Sequence, residues 1–210
     1  MIKNFADKFL KLTIIFGCCS YAFAMSAYDE GIDYEIISDK HAFADTRKIE
    51  VIEFFWFGCP HCKNFYPSLS RWADQLDDEV EFRKYHVPFR EINHQKLFFT
   101  LKKMNLDKDV VPRVFIAMQN KRLPLKNFLD ILFWVEEQGI DSKEFEKNWN
   151  SKEVRNSMDL ATKLMGEFKI TGVPQLVVDG VYRTGPSMVG GSHRKAIKVL
   201  DFLIDKRRSN

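Results

Sequence analysis

Residues 48–57, KIEVIEFFWF, are almost uninterruptedly apolar, the pattern of a strand buried on both faces. The run leads straight into Cys59, and from Pro60 the period changes. Cys62, Phe65, Tyr66, Leu69, Trp72, Ala73 and Leu76 recur at i, i+3, i+4, i+7, one stripe of a helix. Pro60 suits the first helical position, where a missing N–H costs nothing. That spacing puts Cys59 at the helix N-terminus and Cys62 one turn further in. DYEIIS (33–38) reads as an earlier strand and EVEFRKYHV (79–87) as a later one, which completes a β-α-β unit.

From residue 94 to 168 the period is helical throughout. Phe128, Ile131, Leu132 and Val135 form a stripe that Gly139 ends, and Val154, Met158, Ala161, Met165 and Phe168 form another. Asp141 with Glu144, and Asn150 with Glu153, have the spacing of capping pairs. Strands return in GVPQLVVDGVYRTG (172–185), where Asp179-Gly180 signals a tight hairpin. A last helix is expected from about Ser192, with Ala196, Val199, Leu200 and Leu203 inward. The order β-β-α-β, helices, β-β-α predicts an α/β fold carrying a helical insertion. The expected divisions are 28–90 and 169–210 for the two parts of the α/β unit and 91–168 for the insertion. No internal repeat or low-complexity tract interrupts this order, and the basic tail KRRS reads as a solvated end.

The N-terminus is excluded from the fold. MIKNFADKFLK is a basic leader, LTIIFGCCSYAF a short apolar run, and Ala22-Phe23-Ala24 supplies small residues for cleavage, so residues 1–24 read as a secretory signal peptide. The apolar run is shorter than the roughly 20 residues of a membrane span. Ile15-Phe16-Gly17-Cys18 resembles a lipoprotein cleavage box, so a lipid anchor on Cys18 is the alternative. Either way the chain is expected to be exported. At 210 residues, 45% hydrophobic and 29% charged, it is long enough for a substantial core and globular in composition. Without the leader, 29 basic and 28 acidic residues remain, and that near balance gives no reason to expect a nucleic-acid partner.

Export changes the meaning of the cysteines. Cys18 and Cys19 fall in the leader, which leaves Cys59 and Cys62 in CPHC. A disulfide closing so small a loop removes little unfolded-state entropy, so a structural staple is disfavoured. Structural zinc wants four ligands in two close pairs, and His41, His61, His86, His94 and His193 supply no second pair. No metal and no cofactor is expected. The redox reading has positive support, because a helix N-terminus favours the nucleophilic thiolate. Lowering a thiol pKa by three pH units takes about 4 kcal/mol, whereas the helix dipole supplies about 2 kcal/mol at most. His61 lies between the cysteines, where its imidazole N–H can donate to the Cys59 sulfur. The plainer alternative is a histidine facing water. Stabilising the thiolate favours the reduced pair and makes the disulfide a stronger oxidant. Cys59 is then the sulfur that substrates attack, and Cys62 the resolving partner.

Two more positions carry candidate chemistry. Glu53 interrupts the apolar run, and a buried carboxylate needs a partner. Lys84 in the neighbouring strand is the candidate, with proton exchange with Cys62 as the role; the alternative is a partly wet strand end. Val173-Pro174 places a proline in an apolar strand, as expected at a strand start or a cis bond. A cis-Pro174 beside the cysteines would leave Val173 backbone groups for an extended substrate segment.

EFFWFGCPHC (53–62), KYHV (84–87), WNS (149–151) and GVPQLVVDG (172–180), with helices between, resemble the DsbA family of periplasmic thiol–disulfide oxidoreductases. The resemblance runs from about residue 28 to the C-terminus and implies a thioredoxin-like fold. It implies Cys59 as nucleophile, Cys62 as resolving cysteine and His61 as thiolate stabiliser. Glu53 and Lys84 would be the buried charged pair, and Val173, Pro174 and Pro60 would meet substrate. The implied partners are unfolded exported proteins with free thiols and a membrane quinone-linked reoxidase of the DsbB type, with the enzyme monomeric in the periplasm. Trp56-Phe57-Gly58 before the motif departs from the family's pattern. A disulfide isomerase or reductase of the same fold, and a redox-inert peptide-binding chaperone module, are the competing functions. An isomerase's separate dimerisation domain has no room between Ala24 and residue 48.

Overall fold

The computed structural model describes residues 27–38 and 48–209. The expected signal peptide, the candidate anchor Cys18 and His41 lie outside the described residues. Strand β1 (Glu35–Ile36) precedes β2 (Ile49–Phe55), helix α1 (Pro60–Ala73) and β3 (Val80–His86). Five helices follow: α2 (Ile92–Lys103), α3 (Asp107–Gln119), α4 (Phe128–Glu137), α5 (Ser142–Trp149) and α6 (Lys152–Glu167). The chain closes with β4 (Gln175–Val178), β5 (Tyr182–Thr184), a 3-10 turn at Pro186–Val189 and α7 (His193–Arg208).

The five strands form one sheet in the order β1-β5-β4-β2-β3, with β2 parallel to β3 and antiparallel to β4. The apolar run of residues 48–57 becomes the central strand β2 because both of its faces are covered. On one side Val51 joins Phe65, Leu69 and Trp72 of α1 and Ala196, Val199, Leu200 and Leu203 of α7. On the other, Ile52, Phe54 and Phe55 pack with the helical block through Leu97, Phe98, Val114, Phe115 and Ala161. This is the mixed α/β architecture, with helices between β3 and β4, that the patterning predicted.

Local signals hold with two exceptions. Asp179 and Gly180 have φ of 55° and 66°, as a mirror-image hairpin turn requires, and the Val181 N–H closes the turn on the Val178 carbonyl at 3.0 Å. Asp141 caps α5 by accepting from the Glu144 N–H. The expected Asn150–Glu153 cap is displaced by one residue. Asn150 closes α5, so Ser151 becomes the N-cap of α6 and accepts from Val154, while Glu153 pairs with Lys103 at 2.8 Å. The first strand is also shorter than residues 33–38. Asp33 and Tyr34 belong to a turn in which the Asp33 N–H bonds the Asp29 carbonyl and the Gly31 N–H bonds that of Tyr34, leaving only Glu35 and Ile36 to pair with β5.

Side chains tie the helical block to the sheet and α7 to α1. Arg183 of β5 donates to the Phe168 and Lys169 carbonyls at the C-terminus of α6 and pairs with Glu35. The Trp72 indole N–H reaches Asp201 of α7 at 2.7 Å. Among the described residues no helix is long and apolar enough to cross a membrane.

Candidate active site

The site forms where β2 ends and α1 begins. Cys59 is the N-cap of α1, in extended backbone conformation, and its sulfur accepts from the Cys62 N–H at 3.4 Å. Pro60 follows at the first helical position and is exposed. One turn on, Cys62 is fully buried on the inner face of the helix. Both cysteines are free thiols, so the site stands in its reduced state.

The two sulfurs have opposite acidities. The Cys59 thiol is lowered to about 6. The largest cause is the hydrogen bond from the Cys62 side chain; the backbone N–H groups of Cys62 and His61 and the charge of His61 add to it, while burial opposes it. Burial, first, pushes the Cys62 thiol far up, and hydrogen bonding to Cys59 and the nearby Glu53 charge push it the same way. Adjacent groups forced apart in this manner take different roles: Cys59 is held as thiolate and Cys62 as thiol.

His61 therefore acts differently from the expectation of an imidazole N–H donating to sulfur. Its side chain is exposed, and its backbone N–H and its charge bear on Cys59 behind the Cys62 contribution. Exposed charge interactions are worth at most about 1 kcal/mol. Replacing His61 by Ala is accordingly expected to raise the Cys59 pKa by less than about one pH unit, measured by thiolate absorbance. A rise of two or more would show a direct ring–sulfur bond.

Val173 and Pro174 lie against the same sulfur. Their peptide bond is cis, and the Cys59 Sγ–H donates to the Val173 carbonyl at 3.3 Å. Only the thiol makes that bond, and the thiolate keeps the Cys62 N–H donor. Gly185, just after β5, packs on this segment; a Cβ there would fall 2.9 Å from the Pro174 oxygen. The loop GPSMVGG, which has no clear place in the sequence pattern, thus backs the Val173-Pro174 corner.

Beneath Cys62, Glu53 of β2 and Lys84 of β3 are register partners. Glu53 is only 1% exposed and lies 3.7 Å from the Lys84 Nζ, an ion pair too long for a hydrogen bond. Burial raises the Glu53 pKa and lowers that of Lys84, each opposed by the other's charge. The Lys84 ammonium also sits 3.5 Å from Ser70 Oγ and 4.0 Å from the centre of the Tyr66 ring. It lines a cavity of about 520 Å³ together with Tyr66, Ser70, Asp74, Lys102 and Asp107. The wet-strand-end alternative for Glu53 does not hold.

The loop before Cys59 brings in groups that no local pattern marks. Gln119, at the end of α3, donates to the Phe57 and Cys59 carbonyls at 2.7 and 3.1 Å. The Phe57 N–H bonds His86 Nε2 at 3.1 Å, and the Cys59 N–H closes a turn on the Trp56 carbonyl at 3.0 Å. Trp56 folds back over Gly58, where a Cβ would fall 2.2 Å from its ring. Among the described residues no group of three or more His, Cys, Asp or Glu side chains converges to hold a metal ion.

Comparison with known proteins agrees with this geometry. The family model of the DSBA-like thioredoxin domain matches residues 90–197, downstream of the cysteines. Curated relatives extend over the motif. The thiol:disulfide interchange protein DsbA of Azotobacter vinelandii is 34% identical and covers 100% of this chain and 99% of its own. That of Pseudomonas aeruginosa PAO1 is 32% identical over 95% and 94%. Among solved structures, the crystal structure of Pseudomonas aeruginosa DsbA superposes with a TM-score of 0.82 at 33% identity, covering 87% of this chain and 95% of that one. An oxidoreductase of this type from Neisseria meningitidis gives 0.76 at 26% identity, over 86% and 94%.

Proposed function

The chain belongs to the DsbA family of thiol:disulfide interchange proteins, and from that premise we propose that Cys59–Cys62 is the disulfide this oxidoreductase donates. The observation that carries the reading is the divergence of the two sulfurs, with Cys59 lowered to about 6 and Cys62 pushed far up.

In the oxidised enzyme a substrate thiolate attacks Cys59 Sγ. The S–S bond breaks, its electron pair goes to Cys62, and Cys62 takes a proton because its pKa is high. Glu53, with Lys84 beside it, is the proposed exchanger of that proton. A second substrate thiolate then attacks the substrate sulfur of the mixed disulfide and expels Cys59, which leaves as a stable thiolate. The substrate loses two electrons and the enzyme gains two. Pro60, Val173 and Pro174 are the proposed contacts of the substrate segment, with Val173 offering backbone groups to an extended chain.

Turnover needs substrate proteins and a redox partner that restores the disulfide. The proposed substrates are unfolded exported proteins with free thiols, and the proposed partner is a quinone-linked membrane reoxidase of the DsbB type. The enzyme acts as a monomer in the periplasm after loss of residues 1–24, with a lipid anchor on Cys18 as the competing form.

The testing experiment is the redox equilibrium of the mature protein in glutathione buffers. A disulfide donor stays reduced until the buffer is strongly oxidising. A pair already oxidised in strongly reducing buffer would mark a reductase and overturn the proposal. A pair that never exchanges would leave only a binding module.

A further inference from the structure

His86 closes β3 as the register partner of Phe55, the last residue of β2. It is 0% exposed, with ring centroids of Phe57, Phe55 and Phe98 at 4.7, 5.1 and 6.3 Å. An apolar side chain would suit those walls, because burying imidazole forfeits its hydration. Its Nδ1 has no hydrogen-bond partner. Against that loss the ring sets the Phe57 N–H, 3.1 Å from Nε2, and a weaker approach to the Val87 backbone. Phe57 is itself fully buried, and a buried amide without an acceptor is costly. Phe57 stands two residues before Cys59 and two beyond the end of β2.

We propose that His86 is a positioning residue for disulfide exchange: its Nε2 accepts the Phe57 N–H and so fixes the loop that sets the Cys59 sulfur on the end of α1. His86 does not touch the sulfur. The carbonyl side of the loop is held by Gln119 from α3, and His86 holds the amide side from β3. The Gln95 side chain of α2 in turn donates to the His86 carbonyl at 2.9 Å. Accepting through Nε2 requires a neutral ring with its proton on Nδ1, and burial favours that neutral form. The inference rests on the reading of Cys59 as the exchanging sulfur.

The experiment compares wild type, His86→Leu and His86→Gln by Cys59 thiolate absorbance, oxidation of a model dithiol peptide and thermal unfolding. His86→Leu removes the acceptor, and His86→Gln can return a carbonyl oxygen near Nε2. Losing one buried acceptor is expected to raise the Cys59 midpoint by about one pH unit and slow peptide oxidation at pH 7 about tenfold. His86→Gln is expected to recover the rate to within about twofold of wild type. A His86→Leu protein that melts lower but titrates and reacts like wild type would reduce His86 to a packing residue and overturn the proposal. If His86→Leu does not fold, long-range ¹⁵N spectra of the wild type decide. The Nδ1–H tautomer with coupling between Nε2 and the Phe57 amide supports the assignment, and an Nε2–H tautomer overturns it. A wild-type Cys59 that titrates as an ordinary thiol would instead defeat the reading of the site, and those spectra would still decide His86.

Discussion

Cys59→Ser is expected to stop disulfide transfer altogether, a loss of more than about a thousandfold, while Cys62→Ser, offered a peptide that already holds a disulfide, accumulates a mixed disulfide on Cys59: its thiolate attacks one substrate sulfur, the other leaves as thiolate, and no Cys62 thiol remains to expel the bound one. The asymmetry follows from position. With a pKa of about 6, Cys59 is about nine-tenths thiolate at pH 7, so it is both a good leaving group and the sulfur at the open end of the helix. Cys62 is fully buried and holds its proton, so it can resolve a bound thiol but cannot receive one from a bulky substrate. Absorbance titration separates the two: the transition near pH 6 should vanish in Cys59→Ser. It should survive in Cys62→Ser, whose hydroxyl still donates, and move upward in Cys62→Ala, which removes the largest stabilising contact. A transition near pH 6 that persists without Cys59 would reverse the assignment. Because the folded pKa is depressed, the thiolate stabilises the reduced fold at high pH, and that contribution fades as pH falls through 6.

Removing the Lys84 charge is expected to have the largest effect on stability. Lys84→Met leaves Glu53, 1% exposed, without its cation, and breaking a buried pair in this way costs about 3–5 kcal/mol. The carboxylate has one escape, which is to take a proton. Burial already raises its folded pKa above the ordinary 4.5. A raised folded pKa contributes stability that is present below the unfolded value and lost as pH rises through the folded one. Lys84→Met raises that pKa further, so its destabilisation should be greatest at pH 8 and should shrink toward pH 4.5. Urea unfolding of wild type and variant at the two pH values measures this. Glu53→Gln together with Lys84→Met should recover most of the loss at pH 8. An equal loss at both pH values would mean that Lys84 matters for its packing on Tyr66 and not for its charge. Glu53→Gln alone should slow exchange with the Cys59 pKa little changed, since Glu53 bears on Cys62 and is not among the largest influences on Cys59.

Much of the site can be read from short spacings, and the reasons are local. Two residues separate the cysteines, so the helical rise alone makes one the N-cap and buries the other a turn below. Pro60 marks the first helical position and Asp179-Gly180 the hairpin, because backbone sterics at those residues do not depend on distant parts of the chain. Asn150 and Ser151 show the limit even there. Both are good caps, and the choice between them depended on where α5 ran out. His61 shows a different limit: its place in the motif is plain, but the exposed ring leaves the main stabilisation of Cys59 to Cys62 and the helix amides.

Alone, the sequence determined the layered α/β fold, the helix that carries CPHC and the chemistry of its two cysteines, because all three follow from periodicity and from contacts within one or two turns. Only the tertiary structure decided what surrounds them. The sheet order brings Val173 to Cys59 across 114 positions and His86 to Phe57 across 29, and the packing of α3 brings Gln119 to the Cys59 carbonyl across 60. Hydrogen bonds of that separation leave no period in the chain. They depend on how β2, β3, β4 and α3 pack, which is settled by burial summed over the whole core rather than by any residue's neighbours.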